Sequence, residues 1–169
     1  APYAGGFVSQ AVLALLALGL LAQLRLPSLQ FAASAGEARS LWVIARQQRF
    51  VVAVVAGIVS YGLMAFIMTA APMAMVAKGF SKEQATLGIQ WHVLAMFGPS
   101  FITGTLIARF GKLTITAAGL AIIGLSGLLA FAGQELFHFW GSLILLGIGW
   151  NFGFIGATAI VSDTYSQAE

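Results

Sequence analysis

The chain has 169 residues, of which 60% are hydrophobic and 8% charged, whereas a soluble domain carries roughly 25% charged residues. A chain this apolar cannot cover itself with polar surface, which excludes an ordinary soluble domain and leaves lipid as its main solvent. The absence of cysteine excludes disulfides, thiolate metal sites and cysteine nucleophiles. The formal net charge of +3 comes from scattered basic residues with no basic stripe interleaved with aromatics, which speaks against nucleic acid as a partner.

The chain opens Ala-Pro-Tyr without Met, and its first 24 residues carry no charge. With no basic n-region a signal peptide is not expected here, and the native start is expected to lie upstream. A spanning helix needs about 20 mostly apolar residues to cross about 30 Å. Five charge-free runs are long enough: Ala1 to Leu24, Phe50 to Ala77, Gln84 to Ala108, Leu113 to Gln134 and Leu136 to Ser162. None alternates polar with apolar residues as a membrane strand would. The fold class expected is therefore all-α, a polytopic transmembrane helix bundle.

The basic residues set an orientation. Arg25, Arg39, Arg46 and Arg49 separate the first two runs, and Arg109 and Lys112 separate the third and fourth. Lys78 and Lys82 separate the second and third. Six basic residues thus fall on one side and two on the other, and the positive-inside rule places the six in the cytoplasm. The N-terminus of the chain is then outside and its C-terminus inside. The segment 25–49 is the long connection, with Pro27 and Gly36 and an amphipathic piece, Leu41 to Ile44, flanked by Arg39, Arg46 and Arg49. That composition suits a stretch lying on the inner membrane face. The stretch "ARFGK" is a very short hairpin loop. Gly111 can supply the positive φ of a tight turn, and Arg109 and Lys112 can reach lipid phosphates.

"GTLIARFGKL" resembles the loop signature of the major facilitator superfamily of transporters, through Gly104, Leu106, Arg109, Gly111 and Lys112. Ala108 stands where the family usually has Asp, and Leu113 where it has a second basic residue. "IQWHVLAMFGPSFITGTLIARFG" and "GWNFGFIGAT" resemble a bacterial subgroup that includes riboflavin-type transporters. The resemblance implies five helices, 6 to 10, of a twelve-helix fold. Residues 1–24 are then the last helix of the N-terminal half, 25–49 the central cytoplasmic loop, and 50–169 the first four helices of the C-terminal half. Helices 1–5 and 11–12 would be needed for activity. The setting implied is the bacterial inner membrane, and a proton is the family's usual driver. Without an Asp at 108, this copy of the loop is not expected to take part in the family's charge latch. In that architecture helices 7, 8 and 10 line the cavity and helix 9 is peripheral.

Polar groups inside a span are costly unless they face the bundle interior or a watery cavity. In the third run His92, Met96, Pro99 and Thr103 share one stripe, with Gln90 and Trp91 beside it. His92 can accept a proton or hydrogen-bond a ligand, or be a neutral histidine bonded to a neighbouring helix. Gly98-Pro99 marks a kink. In the fifth run Gly149, Gly153 and Gly156 form a small-residue face for close helix packing. Gly147, Asn151, Thr158 and Ser162 form another face. Asn151 lies near the midplane, as a ligand contact or an inter-helix bond, and Trp150 is a stacking surface or packing. Tyr61, Met64, Met68 and Pro72 share a stripe that lines a cavity or fills the core. The fourth run, with Ser126 alone in its middle, suits a lipid-facing helix.

No enzyme constellation emerges. Glu37, Glu83, Glu135, Asp163 and Glu169 flank helices or sit in loops, and His92 and His138 share no metal-ligand spacing. "GIGWNFG" follows no strand and is no dinucleotide fingerprint. No cofactor or metal is expected. The reading is a secondary transporter working by alternating access on a small, uncharged or aromatic solute. The alternative is a five-helix membrane-embedded interaction or scaffold subunit, and an intramembrane enzyme is a third, weaker option.

Overall fold

The computed structural model describes residues 4–24 and 39–166, and the chain divides into two compact units, Ala1–Gly36 and Glu37–Gln167. The sequence readings on Arg25, Pro27, Gly36, Glu37 and Glu169 fall outside the described residues. The first unit contributes helix α1, Ala4–Ala22. Its 19 residues span roughly 28 Å at 1.5 Å per residue, about one bilayer core. Ser9 Oγ donates to the Gly6 carbonyl at 2.9 Å, and Gln23 Nε2, just past the helix end, to the Gly19 carbonyl at 3.2 Å.

The second unit runs α2 (Leu41–Ala45), α3 (Gln48–Ala77), α4 (Lys82–Phe97), α5 (Ser100–Phe110), α6 (Lys112–Ala132) and α7 (Leu136–Val161). No strand occurs among the described residues. Helices α1, α3, α6 and α7 are each long and apolar enough to cross a membrane, and α4 and α5, bent by 42° at the break between them, are long and apolar enough only when taken together. The fold is the all-helical polytopic bundle expected. The third run is not one straight helix, however. Pro99 has no N–H to give to the carbonyl four residues back, so α4 ends at Phe97 and α5 begins at Ser100.

The connections are short because their residues are suited to turning. Gly79 takes φ +90° after α3, and Ser81 then caps α4 in a reciprocal box with Gln84. Between α5 and α6 a single residue turns the chain, Gly111 at φ +88°, a region that side chains with a Cβ avoid. Glu135 and His138 cap the start of α7 in the same reciprocal way as Ser81 and Gln84. The starts of α3 and α6 and the end of α7 meet at one end of the bundle, where Arg49, Lys112 and Asp163 line one recess.

Helix α7 is the centre of this unit, packed against α3, α4, α5 and α6. Lipid tails are as apolar as leucine, so helices associate through close van der Waals contact and inter-helix hydrogen bonds. The close contact is made by glycine. A Cβ at Gly119 of α6 would fall on the backbone of Gly153, and one at Gly149 would lie 2.9 Å from the Gly119 carbonyl oxygen. Gly156 sits equally tightly on Thr116. The expected glycine face therefore has a definite partner, and that partner corrects one expectation. Helix α6 is not simply lipid-facing. It buries Ile115, Thr116, Gly119, Ile123 and Ser126, and Ser126 Oγ donates to the Ser142 carbonyl at 2.8 Å.

Gly119→Ala is expected to destabilise the protein by about 1–3 kcal/mol, the usual cost of overpacking. It should lower the thermal midpoint of the protein in detergent, whereas Gly124→Ala, where a Cβ meets open space, should not. Equal midpoints for the two would contradict this packing.

Candidate functional site

Three polar side chains, Ser100, Thr103 and Asn151, meet at the break between α4 and α5. Asn151, fully buried on α7, donates from Nδ2 to the Met96 carbonyl at 2.8 Å and to Ser100 Oγ at 2.7 Å. Its Oδ1 accepts from Thr103 Oγ at 2.6 Å. Thr103 Oγ also lies 2.8 Å from the Pro99 carbonyl, so one hydroxyl hydrogen is shared between two acceptors. One amide thus holds the last turn of α4 and the first turn of α5. Of the two roles weighed for Asn151, the inter-helix bond is the one this geometry displays, because both ends of its amide are engaged.

His92, also fully buried, places Nδ1 2.8 Å from the Leu143 carbonyl. A carbonyl only accepts, so Nδ1 carries a proton. Nε2 has no partner among the described residues. Here too the bond to a neighbouring helix is present. On the same flank Gly147 lets α4 approach, for a Cβ there would lie 2.6 Å from the His92 carbonyl oxygen.

The other candidates separate by exposure. Met64 is buried, Met68 and Met96 are half-buried, and Tyr61, Gln90, Trp91 and Thr158 are exposed. The proposed α3 stripe therefore does not share one environment. Met64 packs in the core, whereas Tyr61 faces outward with its ring centroid 6.0 Å from that of Phe154. Thr158 Oγ bonds back to the Ile155 carbonyl at 2.9 Å. Trp150 is half-buried, stacked on Phe154 at 5.1 Å with the planes 9° apart, and it meets Phe97 edge-on at 6.4 Å. Phe97 and Phe154 escaped the sequence reading, although the i, i+4 spacing of Trp150 and Phe154 carried the signal.

At the basic end, Lys112 Nζ lies 2.6 Å from Asp163 Oδ1. This corrects the expectation that Lys112 is free to reach lipid phosphates, since α7 ends within its reach. Both side chains are partly exposed, 33% and 48%, so the pair contributes about 1 kcal/mol at most. Arg49, Gly111, Lys112 and Asp163 help line the recess there, of about 360 Å³. Arg109 is exposed and lies over the Phe110 ring at 5.2 Å. Gly104 is exposed and Leu106 half-buried. Helix α2 exposes Leu41, Trp42 and Val43, with Arg46 over the Trp42 ring at 4.7 Å. Arg39 and Gln47 donate to the Thr164 carbonyl. Five of the described basic residues thus gather at this end, with Lys78 and Lys82 in the turn at the other. Among the described residues no three His, Asp or Glu side chains form a metal-binding group.

Apolar helices of spanning length with charges at their ends define a multi-pass membrane protein. The chain is similar to transporters of the major facilitator superfamily. It is 57% identical over 171 residues to the riboflavin transporter RfnT of Brucella anthropi, an alignment covering 100% of this chain and 43% of that protein. Two uncharacterized MFS-type transporters of Bacillus subtilis, YddS and YdeG, are each 36% identical, over 60% and 63% of this chain and 24% and 25% of theirs. The chain therefore spans less than half the length of the curated relatives it matches. No family model matches the chain, and no solved structure matches it. The relatives are transporters, not enzymes.

Replacing Thr103 by Val and Asn151 by Ala, singly and together, should reveal a coupling of about 0.6–1.7 kcal/mol in unfolding free energy, the range for inter-helix bonds in lipid. Strict additivity of the two would remove Asn151 as the link across the break.

Proposed function

We propose that this chain is the middle portion of a bacterial inner-membrane secondary transporter that carries a riboflavin-type solute by alternating access. The observation that carries the reading is the 57% identity, along the entire chain, to a riboflavin transporter. On this reading residues 1–24 form helix 6, residues 25–49 the central loop, and residues 50–169 helices 7 to 10. Helices 1–5 and 11–12 come from the rest of the protein. The N-terminus of the segment lies outside and its C-terminus in the cytoplasm, which puts the basic end on the inner side in accord with the positive-inside rule. The substrate cavity then lies against α3, α4, α5 and α7. The loop-signature residues Gly104, Leu106, Arg109, Gly111 and Lys112 turn the chain at the cytoplasmic surface.

The solute class is consistent with the polar content of the spans. No aspartate or glutamate lies in the middle of a span among the described residues; Glu83, Glu135 and Asp163 sit at helix ends. A neutral, flat solute needs no buried counter-charge, and burying one would be expensive. If a proton drives uptake, His92 offers for it in this segment the imidazole nitrogen that has no partner among the described residues.

Cells unable to make riboflavin but expressing the intact protein should grow on low external riboflavin and accumulate it, and His92→Gln should blunt the dependence of uptake on a pH gradient. Absence of uptake with the protein present in the membrane would overturn the substrate reading. A full pH-gradient response in His92→Gln would remove His92 as the proton carrier.

A further inference from the structure

Four aromatic rings on three helices form a chain of pairwise contacts: Phe97 on α4, Trp150 and Phe154 on α7, and Tyr61 on α3. Their successive centroid distances are 6.4, 5.1 and 6.0 Å. The outer two are more than half exposed, Phe97 at 56% and Tyr61 at 54%, and the inner two are half-buried.

The depth of these rings is unusual for aromatic residues that carry polar atoms. Trp150 lies 14 residues into the 26-residue α7, and Tyr61 lies 13 residues into the 30-residue α3. At 1.5 Å per residue these are roughly 20 Å from the helix starts, near the middle of each span. Phe97 stands at the break, the middle of the bent span. Tyrosine and tryptophan facing lipid concentrate at the two membrane interfaces, where their polar atoms meet water and headgroups. Facing hydrocarbon at the midplane they would gain nothing from those atoms. The Trp150 indole N–H is buried and has no partner among the described residues, so a hydrogen bond does not hold it there. What the row offers is ring face, with a hydroxyl on Tyr61 and another on Thr158 one turn beyond Phe154. No charged side chain lies in these parts of the spans.

Resting on the reading of the protein as a riboflavin-type carrier, we propose that Phe97, Trp150, Phe154 and Tyr61 form the stacking surface that receives the planar heteroaromatic ring of the solute. Stacking of flat heterocycles on aromatic side chains is favourable and tolerant of ring identity. It also requires no counter-charge. The row thus selects the ring, and the solute's polar chain is left to other contacts.

The test uses the intact protein in proteoliposomes with riboflavin as the transported probe. Trp150→Leu and Phe154→Leu should each raise the KM about tenfold, with the maximal rate within about twofold. Trp150→Phe, which keeps a ring and loses the N–H, should shift KM by less than about threefold. On the unaltered protein, lumiflavin (the ring without its ribityl chain) should compete and ribitol should not, a readout that needs no variant to fold. Wild-type KM in both leucine variants would overturn the stacking surface and leave transport standing, assigning the row to packing against another part of the protein. Competition by ribitol without competition by lumiflavin would do the same. Failure of the unaltered protein to take up riboflavin would instead sink the transport reading, and the stacking surface with it.

Discussion

Everything in the second unit depends on how one break in a membrane helix is held. Pro99 removes a backbone donor in the middle of a span, where no water can replace it. From α7 the Asn151 amide spans the break, donating to the Met96 carbonyl before it and the Ser100 hydroxyl after it and accepting from the Thr103 hydroxyl. In water such a cluster would be a modest gain. Inside a span the alternative is unpaired polar groups in hydrocarbon, so the cluster fixes where α4 and α5 sit on α7. Phe97, the last residue of α4, stands at this break with its ring centroid 6.4 Å from that of Trp150.

Helix α7 can make these contacts only because its faces are divided. Glycines at 149, 153 and 156 give one side to α6 at backbone distance. Gly147 and Asn151 give a second to the bent span, and Trp150 with Phe154 lies between that side and α3. Larger residues on the first two faces would force the helices apart, and the hydrogen bonds to Asn151 and His92 would lengthen with them. Packing and hydrogen bonding are therefore one constraint here. The aromatic row is what remains on the face that neither uses.

Much of this was legible beforehand, for physical reasons. Span lengths follow from bilayer thickness, and the runs from Phe50 and Leu136 match α3 and α7 within two residues at each end. Gly111 announced a turn and Gly98-Pro99 a break. The tie of Asn151 to the break was not legible, because a polar residue on one helix reveals nothing about which helix faces it. The same blindness hid the partner of the glycine face. Gly119 on α6 looks like one glycine among several until α7 is laid against it. Asp163 was read as a flanking charge because its partner Lys112 is 51 positions away. Phe97 is not legible in this way, because phenylalanine in an apolar run carries no contrast with its neighbours.

The central claim is that α4 and α5 form one bent span, tied at its break to α7, rather than a loop that enters and leaves by the same face. This segment has no cysteine of its own, so single cysteines placed at Lys78 and Phe110 in an otherwise cysteine-free intact protein report the two ends directly. With a membrane-impermeant thiol reagent, Lys78→Cys should label on intact cells and Phe110→Cys only after the membrane is opened. Labelling of both from the same side would make α4 and α5 a re-entrant loop and contradict the account.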